Sequence, residues 1–311
     1  MFLYSDSNKR YHTYSYFLKH KFGGKVAKLS LDGGFSCPNL DGSKGWGGCS
    51  YCSSRGSGDF AGDPAVSMRQ QLEQQRAVME KKWPGSQYIA YFQAHSNTYG
   101  PLERLKACFE PTLDFPGVVG LSVATRADCL DGEKADYLAE LMEKTFVEVE
   151  LGLQSVFDST GERINRCHSY REFLDGFRLL RERNIPICVH LIDGLPGESR
   201  EMMLESARQV GELRPHSVKL HLLHVLEGTA LAQQWKRGEF ALLEREEYVS
   251  ILCDQLELLP PEIVIQRITG DGDKNSLLGP MWSRDKKKVM NAIDMELARR
   301  DSYQGKKWEE R

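Results

Sequence analysis

The sequence predicts an α/β protein whose parallel sheet curls into a partial, TIM-like (β/α)6 barrel. Three observations carry that expectation. Strand-like and helix-like runs alternate along most of the chain, which is the rhythm of successive βαβ units. Six such units are present, enough for an open barrel but not for the closed eight-stranded form. Several strand-like runs also alternate polar with apolar residues, whereas parallel strands covered on both faces read almost wholly apolar. A curled sheet resolves that conflict, because its concave side can line a polar interior.

The elements follow in order. Val26–Leu31 is a short β run feeding a glycine-rich loop. Residues 65–82 read as a helix rich in Gln, Glu, Met and Leu, stopped by Trp83-Pro84-Gly85. A strand at 88–93 precedes a helix at 102–109, and the strand Val118–Thr125 precedes a helix at 133–144. A strand at 146–153 leads to helical stretches at 158–165 and 171–183. The strand at 186–192 closes on Gly194-Leu195-Pro196-Gly197, which lacks the Gly-Lys-Ser/Thr ending of a phosphate loop. A helix at 200–212 and a strand at 217–225 complete the series, before helices at 231–236 and Arg245–Leu258.

This divides the chain into a basic, aromatic arm (1–24), the barrel (25–261) and a C-terminal extension (262–311). The extension holds an added strand at 262–268, a flexible loop at 271–276 and a basic helix at 284–300. From Lys9 to Lys28, Lys9, Arg10, Lys19, Lys21, Lys25 and Lys28 are interleaved with Tyr11, Tyr14, Tyr16, Phe17 and Phe22. Such a mixture suits phosphate contacts with base stacking; equally, the aromatics could simply dock on the domain. The extension's Lys286, Lys287, Lys288, Arg299 and Arg300 carry the same two readings.

Strand faces locate the interior. Glu148, Glu150, Gly152 and Gln154 share one face of their strand, since side chains alternate with period two. Lys219 and His221 share a face of the sixth strand, and Cys188 and His190 one of the fifth. An interior lined by Glu, Gln, His and Lys contains a ligand, although Glu148 and Glu150 could instead form a structural ion-pair layer. Chemistry belongs at the C-terminal ends of the strands, where the loops gather.

The loop after the first strand is the strongest chemical signal. It carries Cys37, Cys49 and Cys52 among Gly42, Gly45, Gly47 and Gly48, with Cys49 and Cys52 as a C-x-x-C pair. Three thiols are one short of a closed zinc site or a fully ligated iron–sulfur cluster. A cluster on three cysteines keeps one iron open to an exchangeable ligand. A zinc site with a histidine as fourth ligand is the alternative, and it would make the protein a zinc-stabilised nucleic-acid-binding module without catalysis.

Composition bounds the rest. The chain has 311 residues, 41% hydrophobic and 27% charged, with eight cysteines and a formal net charge of −3. These values suit an ordinary globular protein and argue against one that coats nucleic acid. The remaining cysteines (Cys108, Cys129, Cys167, Cys188 and Cys253) are scattered and read as free thiols of a reducing compartment. No apolar run has the length of a membrane span and no signal-peptide core opens the chain, so a cytoplasmic protein without a membrane partner is expected.

The cysteine loop resembles that of the radical S-adenosylmethionine (SAM) superfamily, with Tyr51 as the aromatic before the last cysteine. The Cys37–Cys49 insert is longer than the usual C-x3-C-x2-C spacing. The resemblance implies a [4Fe-4S] cluster on Cys37, Cys49 and Cys52, SAM on the open iron, and a reductant protein such as flavodoxin or ferredoxin. Glu150-Leu-Gly-Leu-Gln154-Ser and Arg163-Ile-Asn-Arg166 look like the SAM-binding segment of oxygen-independent coproporphyrinogen III oxidase and its relatives. His190-Leu-Ile-Asp-Gly-Leu-Pro-Gly197 is similar to that family's fifth strand, with His190 where an aspartate stands. Val123-Ala-Thr125-Arg126-Ala-Asp128 resembles an E-T-R-P-D motif. Gln93-Ala-His95-Ser-Asn97 replaces the superfamily's G-G-E. Tyr51, Gln93, Thr125, Glu150, Gln154, Arg166 and His190 are thereby implied at the SAM site.

Over its whole length the chain resembles the YtqA/YhcC-type radical SAM proteins. The features are Phe22-Gly-Gly-Lys-Val26, Gly33-Gly-Phe-Ser-Cys37-Pro-Asn, Tyr91-Phe-Gln-Ala-His95 and Lys219-Leu-His-Leu-Leu-His224. The long insert after Cys37 belongs to that family. One branch of it is associated with forming 5-aminomethyl-uridine at the tRNA wobble position from a carboxymethylaminomethyl precursor. The resemblance therefore implies tRNA as partner, with Lys219, His221 and Arg126 as catalytic candidates and Arg267 as a further cation for the substrate carboxylate. A porphyrin or small metabolite is the alternative substrate.

Overall fold

The computed structural model describes residues 2–56, 58–270 and 272–309. Asp271, the first residue of the loop expected at 271–276, lies outside the described residues, as do Met1 of the arm and Glu310 and Arg311 of the extension.

The strands are β1 (Val26–Leu31), β2 (Gln87–Phe92), β3 (Val118–Thr125), β4 (Phe146–Gln154), β5 (Ile187–Asp193), β6 (Ser217–Leu222), β7 (Val225–Leu226), β8 (Val264–Arg267) and β9 (Leu277–Gly279). The helices are α1 (Tyr14–Phe22), α2 (Met68–Lys82), α3 (Leu102–Leu113), α4 (Gly132–Met142), α5 (Asp158–Arg163) and α6 (Tyr170–Arg181). They continue with α7 (Arg200–Leu213), α8 (Ala230–Lys236), α9 (Arg245–Leu258) and α10 (Lys286–Arg299). Ser67 and Ser169 start α2 and α6 with reciprocal capping boxes, which supply partners for amide groups the first turn leaves unpaired. Helix α3 runs through Pro111 to Leu113, beyond the expected stop at 109.

Seven strands form one parallel sheet in the order β1-β2-β3-β4-β5-β6-β8, curled into a half-barrel with helices outside. The added strand expected at 262–268 is therefore part of this sheet: β8 pairs in parallel with β6, Ser217 opposite Val264. β7 and β9 make a separate antiparallel ribbon just past the C-terminal end of β6. The convex side of the sheet packs under the helices through fully buried residues such as Leu29, Leu121, Val149, Val189 and Leu220. Each such side chain contributes roughly 1.5–3 kcal/mol by leaving water.

The N-terminal arm docks. Helix α1 packs against both edge strands, β1 and β8, and Thr13 bridges to Ile265. Tyr11 and Leu18 are buried, Phe17 meets Phe146 at a tilt and Phe22 meets it edge-on. Lys9 pairs with Asp294, Arg10 with Asp301 and Lys19 with Asp6. The aromatics that could have stacked on bases serve instead to close the lower end of the half-barrel.

Candidate active site

All seven strands of the main sheet send a polar side chain into the concave interior. Lys28 on β1 donates to Glu150 Oε1 (2.5 Å), Glu148 Oε1 (3.2 Å), Ser122 Oγ (3.2 Å) and Gln266 Oε1 (3.2 Å). Glu148 also accepts from Gln266 (2.5 Å) and Ser217 (3.2 Å). Glu150 accepts from the Tyr91 hydroxyl (2.8 Å), meets His190 Nε2 at 2.9 Å and takes a close hydrogen bond from Lys219. Burial alone would raise both carboxyls. Lys219 and Lys28 instead hold Glu150 well below its ordinary range, and Lys28 with His216 brings Glu148 to about 2.

Above this layer, towards the C-terminal strand ends, Gly152, His190, Lys219 and Arg267 stand in register across four strands. The rings of His190 and His221 lie 5.1 Å apart. Burial, with Lys219 nearby, lowers His190 to about 4, and burial with His190 nearby takes His221 well below the usual histidine value. Both imidazoles are neutral at neutral pH. His221 Nε2 is buried and has no hydrogen-bond partner among the described residues. Gln154 ends β4 at φ +65°, a left-handed conformation costly to a side-chain-bearing residue by about 1–3 kcal/mol. Its amide folds back over Gly152, where a Cβ would stand 2.6 Å from Gln154 Nε2.

The cysteine loop crosses this open end. Ser50 N donates to Ile164 O (2.9 Å) and Ser50 O accepts from Leu231 N (2.8 Å), tying the loop to α5 and α8. Asn165 donates to Trp46 O (3.0 Å) and Gly48 O (2.8 Å), while Asn39 bonds Asn165 O and Cys49 Sγ (3.6 Å). A hydrogen bond from Cys52, with Arg126 nearby, lowers the Cys49 thiol to about 6 despite its burial. Cys49 and Cys52 share a tight turn, Cys52 N to Cys49 O at 3.0 Å. Among the described residues no three His, Cys, Asp or Glu side chains converge on one point, so the loop is not a closed ligand set as it stands.

The expected site residues divide. Tyr51 lies against Cys49 and Cys52. Gln93 follows β2, its N–H on Leu31 O (3.2 Å). Thr125 ends β3, its hydroxyl 2.7 Å from that of Thr98. Lys219, His221, His190 and Glu150 meet in the interior. Three of the expected residues have partners within the chain. Glu150 lies within β4, and both its oxygens are taken by the interior network. Arg166 is fully buried and directs its hydrogen bonds to His168 O, Leu153 O, Ser155 O and Asp158. Arg126 forms a fork with Asp128 (2.9 and 2.8 Å) and donates to Arg166 O (2.7 Å) and Cys167 O (3.3 Å). Both arginines brace backbone beneath the cysteine loop.

Several participants were not singled out from the sequence. Lys28, Tyr91, Ser122 and Gln266 belong to the interior network. Tyr91 was findable, because it stands two residues before Gln93 on the same strand face. Lys28 also alternates onto the inner face of β1, but its charge reads equally well as part of the arm. Nothing local marks Asn39 and Asn165 as clasps of the loop.

Comparison with known proteins decides the family. The radical SAM superfamily description matches residues 44–210, and its C-terminal domain matches residues 215–299. The chain belongs to the radical SAM superfamily. Within it, this radical SAM protein is 48% identical to YtqA of Bacillus subtilis over 98% of its own length and 95% of that protein. It is 35% identical to YhcC of Escherichia coli, covering 89% of each. More distantly, a tRNA uridine(34) acetyltransferase of Methanocaldococcus infernus is 29% identical over 52% of this chain and 32% of its own. In fold, archaeal Elp3 of Methanocaldococcus infernus superposes with a TM-score of 0.67 at 19% identity, covering 90% of this chain and 64% of that one.

Membership makes the protein an enzyme whose cofactors are a [4Fe-4S] cluster and SAM. The donor chemistry fits. Three thiols lie in one loop, one of them already inclined to the thiolate that a metal requires. Among the described residues no helix is long and apolar enough to cross a membrane.

Proposed function

We propose that this radical SAM enzyme acts on tRNA, converting a wobble uridine that carries a carboxymethylaminomethyl group to the aminomethyl form. The observation that carries the reading is the buried ammonium of Lys219, inside a chamber of neutral imidazoles beneath the cysteine loop. A substrate carboxylate entering that chamber needs a cation, and Lys219 with Arg267 opposite it in register can supply one. The distant likeness to proteins named tRNA uridine(34) acetyltransferase supports the substrate class.

In this reading Cys37, Cys49 and Cys52 hold the cluster, and Tyr51, Gln93, Thr125 and Gln154 surround SAM at the strand ends. The cofactors, when bound, would supply a 5′-deoxyadenosyl radical that removes a hydrogen atom from the carboxymethyl carbon, with SAM as the net two-electron oxidant; one water then adds to the resulting C=N bond and the two carbons leave as glyoxylate. The chain orients the substrate and keeps bulk water from the radical. His221, neutral and with an unpartnered ring nitrogen, takes or returns a proton beside Lys219. The nucleotide has to leave its stack to reach the chamber, at a cost of about a few kcal/mol that an anticodon loop keeps low. Electrons come from a reductant protein such as flavodoxin or ferredoxin, in the cytoplasm.

The docked arm favours a second reading, because it withdraws one of the two surfaces that set a tRNA enzyme apart from one acting on a porphyrin or small metabolite. The deciding experiment is mass spectrometry of tRNA nucleosides from cells lacking the gene. Accumulated carboxymethylaminomethyl-uridine with lost aminomethyl derivatives is expected; an unchanged profile refutes the tRNA assignment.

A further inference from the structure

His190 stands where the resemblance places an aspartate, and its hydrogen bond fixes the state of its ring. Nε2 meets Glu150 Oε2 at 2.9 Å. Against burial, Lys219 and Lys28 hold that carboxyl ionised, so it can only accept and Nε2 must carry the hydrogen. The ring itself is kept neutral by burial and by Lys219 nearby, which leaves the lone pair on Nδ1. No hydrogen bond engages Nδ1 among the described residues. The side chain lies on the inner face of β5 and stays 18% exposed, so Nδ1 is reachable from the chamber, unlike the buried Nε2 of His221.

A cation is held beside this acceptor. His190 and Lys219 are direct partners in the β5–β6 ladder, and their tips converge on the same atom, Glu150 Oε2. The Lys219 ammonium has three hydrogens, of which Glu150 and the Tyr91 hydroxyl (3.3 Å) take two. The third is left for a ligand. A fixed acceptor next to an ammonium matches an amino acid better than a bare carboxylate, because in a glycine unit one carbon separates the amine nitrogen from the carboxylate.

We infer that His190 Nδ1 reads the amine nitrogen of the carboxymethylaminomethyl group, with Lys219 on the carboxylate one carbon away, so that the chamber selects an N-substituted glycine. This rests on the tRNA reading and adds which feature of the modified base is recognised. The amine N–H donates to Nδ1. Once the carbon between amine and carboxylate has given up a hydrogen atom and an electron, with SAM as the net oxidant, the nitrogen's electron pair forms the C=N bond and its proton passes to Nδ1. Glu150 behind the ring steadies the imidazolium, as a buried carboxylate does in other acid–base dyads. His221 has no carboxylate partner among the described residues, so both of its tautomers are open and it can serve the added water.

The test measures binding of two tRNAs to the reconstituted full chain, with SAM present and no reductant. One carries carboxymethylaminomethyl-uridine at the wobble position; the other carries carboxymethyl-uridine, which keeps the carboxylate and lacks the amine. Wild type is expected to prefer the first by about tenfold or more, as a hydrogen bond to a charged group implies. His190→Leu is expected to bind both alike, with iron content and SAM affinity as in wild type. His190→Asn puts an amide oxygen in place of Nδ1. It is expected to keep the preference but, under reductant, to form aminomethyl-uridine about a hundredfold more slowly, since an amide takes no proton. A wild type that converts the first tRNA yet binds both alike overturns the inference while the tRNA reading stands. So does a His190→Leu protein that keeps the preference, or one that loses SAM affinity, which assigns the ring to the cofactor. If His190→Leu holds no iron, His190→Asn decides, and wild-type turnover by it overturns the inference. If wild type neither binds nor converts the first tRNA, the tRNA reading fails and this inference with it.

Discussion

Lys28 on the first strand of the sheet and Gln266 on the last lie 3.2 Å apart, nitrogen to oxygen, although their strands stand at opposite ends of the strand order. The half-barrel is therefore joined at its lower end by side chains where backbone pairing stops. The same ammonium neutralises Glu148 and Glu150, whereas Lys219 reaches only Glu150.

That asymmetry predicts unequal costs. Lys28→Met leaves Glu148 buried without its lysine and should destabilise the fold by about 3–5 kcal/mol. Lys219→Met leaves Glu150 with Lys28, Tyr91 and His190, and should cost about 1–2 kcal/mol. Urea denaturation of the two variants at neutral pH measures the difference; equal midpoints would contradict the shared-cation picture.

Lys219→Met should also separate two activities. Turnover on the modified tRNA is expected to fall by at least about tenfold, as removal of a charge-assisted hydrogen bond implies. Slow SAM cleavage without substrate should remain. A variant that loses both has lost the SAM site, and Lys219 would then serve the cofactor.

Cys37→Ala, Cys49→Ala and Cys52→Ala should each abolish the brown colour and iron retention after anaerobic reconstitution. Cys167→Ala is the control, because that thiol lies beside the loop and hydrogen-bonds Asn165 (3.2 Å). It should keep iron, sulfide and 5′-deoxyadenosine formation. Tightly bound zinc in wild type, with no SAM turnover, would instead favour the zinc-stabilised module.

Arg166 offers a test of whether its guanidinium braces backbone or serves the cofactor. Arg166→Ala removes the donor to three buried carbonyls and should lower stability by several kcal/mol, on the order of 1–3 for each orphaned group. The conservative Arg166→Lys should recover part of that loss. Unaltered stability together with weakened SAM binding by calorimetry would return Arg166 to the cofactor.

Asp193 supplies a pH dependence. Gln255 Nε2 donates to Asp193 Oδ1 (2.6 Å), while Asp193 Oδ2 and Gln255 Oε1 are buried without partners among the described residues. Burial raises this carboxyl to about 7 from an ordinary 3.8. Between those values the folded state binds more protons than the unfolded one, so stability falls as pH rises and the loss is complete above about 7. Asp193→Asn carries a neutral amide whose N–H can face Gln255. It should match wild type near pH 4 and exceed it at pH 8 by on the order of a few kcal/mol. Parallel stability–pH profiles for the two proteins would exclude the effect.

The fold was legible because parallel βαβ units repeat a local pattern, and the period-two polar strands 146–154 and 217–225 revealed a lined interior. The seventh strand was harder: Val264–Arg267 is short and follows Pro260-Pro261, so nothing local says which edge it joins. The cysteines were legible through their spacing. The carbonyl partners of Arg126 and Arg166 were not legible, because an arginine beside a cofactor motif looks the same whether it meets a ligand or a row of carbonyls. Only the three-dimensional arrangement of acceptors separates the two.

The arm that docks beneath the barrel joins stretches of the polypeptide that are far apart in time as well as in sequence. His12 Nδ1 meets Glu262 O across 250 residues of sequence, and its N–H bonds Gln304 across 292. During synthesis the arm is made well before the surface it docks on, some 250 residues later in the chain. Tyr11, Tyr14 and Phe17 must wait uncovered until then, and contacts of such long separation form slowly. Lower-end closure is thus a late event in the birth of the molecule, and until then the arm's aromatic face stays open to water.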